Sequence, residues 1–206
     1  MTTYENLRVA RRGPIVSIAA YLLLTIAKLI AGHFLNSSSL IADGFNNLSD
    51  ILGNVALLIG LQLASQPADS DHRFGHWKIE DLSSLVTSFI MFVVGFQVLI
   101  QTVRKIFLRE ETVVDPLGAA VGVLSAIVMC AVYFYNKGLA KKLKSSALIA
   151  AAKDNLSDAV TSIGTSIAIV AASFNLTIID YITAIIITFF ILKTAYDIFM
   201  EATFSL

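Results

Sequence analysis

Apolar residues along the chain gather into six long blocks, at residues 14–35, 39–64, 80–106, 117–135, 146–173 and 176–199. Each runs to about 20 residues or more with only isolated charges, the length that carries a helix across ~30 Å of hydrocarbon. The pattern predicts an all-α membrane protein with six transmembrane helices. The first block is too long for a signal peptide and lacks a small-residue cleavage site before the next block, so it counts as a span. Composition agrees: 56% of the 206 residues are hydrophobic and 15% charged, against roughly 25% charged in a soluble domain.

An even number of spans puts both termini on one side, and loop charge chooses which. Arg8, Arg11, Arg12, Arg73, Lys78, Lys137, Lys141, Lys142 and Lys144 fall at one end, against Arg104, Lys105 and Arg109 at the other. The positive-inside bias makes the first end, with both termini, cytoplasmic. Basic and acidic residues balance at 15 each, so net charge gives no sign of a nucleic-acid partner. The lone Cys130 rules out a disulfide within the chain. Neither a phosphate-binding G-x-x-x-x-G-K-[ST] stretch nor a dinucleotide fingerprint is present, so no nucleotide partner is expected. Asn175-Leu-Thr177 fits a glycosylation sequon but sits in a very short turn between spans, and reads as chance.

Charge at bilayer depth is tolerated mainly where it pairs, lines a cavity or binds an ion. The second block contains Asp43-Gly-Phe-Asn46-Asn47-Leu-Ser49-Asp50 and the fifth Lys153-Asp154-Asn155-Leu-Ser157-Asp158; both include Asn-Leu-Ser-Asp. Asn46 with Asp50, and Asp154 with Asp158, stand four residues apart, which puts each pair on one helix face. The two spans run in opposite directions, with both pairs near mid-membrane. Packed side by side they bring four oxygen donors to one point, a set for a divalent cation in a tetrahedral or water-completed octahedral shell. Three carboxylates so placed call for a metal or protons. The serines, Asn47 and Asn155 read as ordinary interhelical hydrogen bonds.

The remaining intramembrane charges read as structural: Lys28 and Lys193 pairing or snorkelling, Asp180 and Asp197 near solvated span ends, and Lys153 turned ~100° from Asp154. In the loop before the third span, a turn of helix could gather Asp69, His72 and His76 onto one ion, an N/O set suited to zinc or a similar metal; a solvated turn capping the third span is the other reading. His33, alone in an outer loop, is expected to be exposed. Gly118-x3-Gly122 permits close helix approach.

These pieces together resemble the cation diffusion facilitator family. The matching stretches are Lys28-Leu-Ile-Ala-Gly32, Ser39-Leu-Ile-Ala-Asp-Gly44 leading into Asn46-x3-Asp50, Pro67-Ala-Asp-x2-His72-x2-Gly75-His76-x-Lys78-x-Glu80, and Asp154-x3-Asp158. They cover most of the chain in order. The resemblance implies a six-helix homodimeric exporter of divalent transition metals that exchanges metal for protons by alternating access. It puts the transport site on Asn46, Asp50, Asp154 and Asp158, and a loop metal site on Asp69, His72 and His76. Zinc members usually carry His where Asp154 stands, often His or Asp where Asn46 stands, and a His-rich segment where this chain is Lys-rich. The quartet therefore resembles the manganese-type branch. Oxygen ligands suit manganese, whereas imidazole favours zinc, copper and nickel. The family's cytoplasmic C-terminal domain is expected to be missing, leaving 1–206 as a single transmembrane domain. A bacterial plasma membrane suits so compact a chain.

Charge suggests the mechanism. Emptying the site leaves like charges together in a low-dielectric cavity, a state that proton uptake relieves, so Mn2+ would move one way and protons the other. Zinc, iron, cobalt or cadmium export is the alternative within the family. An intramembrane metal-dependent phosphotransferase is a remote one, because its Asp-x2-Asp-Gly-x2-Ala-Arg stretch is matched here only by Ala42-Asp43-Gly44-Phe45-Asn46-Asn47, without the first Asp, the Ala or the Arg. A channel or a metal-sensing scaffold is a third, and neither could move metal uphill on a pH gradient.

Overall fold

The computed structural model describes residues 9–64, 77–108 and 113–205. Six long helices make up these residues: α1 Arg12–Phe34, α2 Ser38–Ala64, α3 Trp77–Phe107, α4 Leu117–Leu143, α5 Ser146–Ser173 and α6 Thr177–Ser205. Each apolar block became one helix. The fourth outran its block, because past Tyr135 the sequence changes polarity without losing helix-forming residues, and α4 continues to Leu143 before Lys144 turns left-handed at φ 53°. Left-handed Asn36 (φ 57°) and Asn175 (φ 66°) likewise end the approaches to α2 and α6. Ser145 then caps α5, its Oγ accepting from Leu148 N at 3.3 Å.

Among the described residues, five helical segments are long and apolar enough to cross a membrane: Arg12–Phe34, Ser88–Phe107, Leu117–Leu143, Ser146–Ser173 and Thr177–Met200. The 27-residue α2 is not one of the five, and it carries Asp43, Asn46, Asn47, Ser49, Asp50 and Asn54. Those side chains face inward: Asp43 and Asn47 are fully buried, and Ser49 and Asn54 nearly so. Meanwhile Leu23, Ile100, Ile127 and Phe189 stand more than half exposed. Polar inside and apolar outside is the arrangement of a bundle solvated by lipid.

Helix α1 packs on α2, α3 on α6 and α4 on α5, while α2 and α5 also touch each other and α6. Their contact puts α2 and α5 at the centre. Gly118 and Gly122 serve the close approach of α4 to α5 within the chain: a Cβ on Gly122 would lie 2.2 Å from Ser166 Oγ and 3.0 Å from the Ser162 carbonyl. At one end of the bundle, Asp180 of α6 reaches the start of α2, accepting from Ser38 N (2.7 Å), Ser37 Oγ (2.8 Å), Ser39 N and Ser39 Oγ. Asp180 is thus not a solvated span-end charge. It is fully buried and spends its charge on the free backbone N–H groups of another helix.

Candidate metal site

Asn46 and Asp50 project from α2 toward Asp158 of α5. The Asn46 amide nitrogen donates to Asp50 Oδ2 and to Asp158 Oδ1, each at 3.2 Å, so one amide joins carboxylates from two helices. Asp158 is 5% exposed, and Asn46 and Asp50 are half-buried. Asp154, one turn earlier on α5, is exposed, and no hydrogen bond draws it in. Three of the four expected side chains therefore meet directly, and the fourth stands beside them. Among the described residues no three His, Cys, Asp or Glu side chains form a ready cage. Asp69, His72 and His76 lie outside the described residues.

A second polar layer adjoins the first, displaced toward the end of the bundle where α1 meets α2. Lys28 Nζ lies 2.9 Å from Asp43 Oδ2 and donates to Ser162 Oγ at 2.9 Å, and Ser162 Oγ donates to Asp43 Oδ2 at 3.1 Å. With its amide turned to satisfy both atoms, Asn47 accepts from Lys28 Nζ at 3.1 Å and donates to the Asp43 carbonyl at 3.3 Å. Lys28, Asp43, Asn47 and Ser162 are all fully buried. Helix register orders the layers: Lys28 follows Tyr21 by seven residues, Asp43 precedes Asp50 by seven, and Ser162 follows Asp158 by four. The cluster is closed by an ion pair on one side, while Asp154, on the other, is exposed.

The acidic strings were the signal in the sequence for the first layer. Two contributors, Tyr21 and Asn136, lacked one, while Asn155 makes the interhelical hydrogen bonds expected of it. Tyr21 donates to Asp158 Oδ2, Asn155 Nδ2 donates to Tyr21 Oη at 2.9 Å, and Asn136 Nδ2 donates to Asn155 Oδ1 at 2.7 Å. A single tyrosine in an apolar run looks like filler, and Asn136 beside Lys137 looks like the start of a loop. His33, Lys153, Lys193 and Asp197 are exposed and take no part.

Residues 15–206 match the cation efflux transmembrane domain. Manganese efflux system protein MneS of Bacillus subtilis is 50% identical over 206 residues, spanning 100% of this chain and 71% of that protein. The uncharacterized transporter YdbO of the same organism is 45% identical over the same spans. An uncharacterized transporter of Methanocaldococcus jannaschii is 33% identical over 184 residues, 89% of this chain and 65% of its own.

Proposed function

The chain belongs to the cation efflux family of membrane transporters, and on that premise we propose that it exports Mn2+ in exchange for protons by alternating access. In this reading Asn46, Asp50, Asp154 and Asp158 hold the ion. The observation that carries it is the meeting of Asp50 and Asp158, from two helices, around one amide at 3.2 Å on each side. That amide presents its nitrogen to the carboxylates; turned over, it offers an oxygen to a cation between them. Asp154 is free to swing in as the remaining ligand. Amide and carboxylate oxygens without imidazole suit Mn2+ better than zinc, and MneS is named for manganese efflux.

Exchange follows from charge. Three carboxylates around a divalent ion leave the site near −1, and protons replace the ion when it departs. One-sided access supports alternation: the buried Lys28–Asp43 pair seals the cluster on one side, while Asp154 is exposed on the other. The proposal includes α2 as a sixth span, since its polar residues face the bundle interior. It also includes cytoplasmic termini, a homodimer in a bacterial plasma membrane, and a loop site at Asp69, His72 and His76. Asp50→Ala and Asp158→Ala are each expected to abolish Mn2+ export measured in cells loaded with the ion, at unchanged protein level. Export at the wild-type rate by either variant would overturn the site.

A further inference from the structure

The two oxygens of Asp158 have different partners. Oδ1 accepts from Asn46 at 3.2 Å and faces the cluster, whereas Oδ2 accepts from the Tyr21 hydroxyl. The direction of that hydroxyl is set from behind. Asn155 Nδ2 donates to Tyr21 Oη at 2.9 Å; Asn155 Oδ1 accepts from Asn136 Nδ2 at 2.7 Å, which also donates to Ser17 Oγ at 2.9 Å. Because the phenol oxygen already accepts an amide N–H, its own proton is left for Asp158. Ser17, Tyr21, Asn136 and Asn155 are all fully buried, so bulk water does not compete for these bonds.

We infer that Tyr21 is a positioning residue for the transported ion: its hydroxyl occupies Asp158 Oδ2, so that Asp158 offers the metal one oxygen, Oδ1. Asn155 and Asn136 keep the hydroxyl aimed. The inference rests on the transport-site reading above and adds a determinant of ion choice to it. A ligating carboxylate held by an outer hydrogen bond keeps its orientation and its affinity. With Oδ2 released, the carboxylate is free to turn both oxygens to one ion, a mode that larger cations accept readily. Tyr21 also packs in the apolar cluster of Leu24, Met129 and Ala159. Tyr21→Phe preserves that packing and removes only the hydroxyl.

The test measures initial Mn2+ and Cd2+ uptake against concentration, with the full chain in proteoliposomes. Tyr21→Phe is expected to raise KM for Mn2+ by about 10–100-fold, the usual effect of losing an outer-shell partner, with the maximal rate within about twofold. KM for the larger Cd2+ rises less, so preference moves toward Cd2+. An unchanged KM for Mn2+, or an equal loss of rate for both ions, overturns the inference by reducing Tyr21 to packing. Should Tyr21→Phe fail to fold, Asn155→Ala decides, since it keeps the phenol but releases its aim: a smaller rise in KM is expected, and none overturns the inference. If wild-type protein moves Mn2+ and Tyr21→Phe matches it, only this inference fails. If wild-type protein moves neither ion, the transport-site reading fails and takes the inference with it.

Discussion

Lys28 is a cation enclosed by α1, α2 and α5, with its nitrogen 2.9 Å from Asp43 Oδ2 and 2.9 Å from Ser162 Oγ. Removing one member of such a pair strands the other charge away from water. Lys28→Met is therefore expected to destabilise the protein by about 3–5 kcal/mol, whereas Lys28→Met with Asp43→Leu, which removes both charges, stays near wild type. Thermal unfolding in detergent measures both; equal loss in the single and double variants would contradict the pairing. The sequence marked Lys28 as a charge in need of a partner and Asp43 as part of an acidic string. It could not join them, because the pairing depends on how two neighbouring helices are rotated against each other. Asp180 was harder to read. Its place four residues into a span suggests solvation, but it serves the N-terminus of a helix that begins 142 residues earlier.

Among the elements, the contact of α4 with α5 is the most constrained. Gly122→Val is expected to destabilise the bundle by roughly 1–3 kcal/mol by overpacking, because the Ser162 carbonyl, 3.0 Å from the added Cβ, belongs to a helix backbone and cannot rotate away. Gly164→Ala, with nothing within 4 Å, is its control and should be neutral or slightly stabilising. Thermal unfolding of the pair separates a packing requirement from a general effect of losing glycine. Helix number and order were legible because a membrane imposes a length on every apolar block. The end of α4 was not, since Lys137, Lys141 and Lys142 leave the apolar zone without breaking the helix. The glycine pair signalled close approach, but its partner on α5 emerged only from the fold.

The molecule as a whole reverses the usual order of a globule, with Lys28, Asp43, Asn136, Asn155 and Asp158 inside and a coat of Leu, Ile and Phe outside. The proposed topology, with α2 as a sixth span, has a direct test. In a Cys130→Ala background, Ser145→Cys should react with a membrane-impermeant thiol reagent only from the cytoplasmic side and Asn175→Cys only from outside; the opposite pattern would invert the assigned orientation. The quartet could be proposed from spacing alone because two antiparallel spans carry matched i, i+4 pairs at similar depth. The layers around it could not, since they depend on four helices meeting. The central claim is that Asn46, Asp50, Asp154 and Asp158 carry Mn2+ in exchange for protons. Its most direct test is ion uptake into proteoliposomes under an imposed pH gradient, comparing Mn2+ with zinc for the wild type and for Asn46→His combined with Asp154→His. The account predicts uphill Mn2+ movement by the wild type, collapse of that movement when the gradient is dissipated, and a shift toward zinc in the double variant. Mn2+ uptake that ignores the gradient, or a wild-type preference for zinc that the histidines leave unchanged, would contradict it.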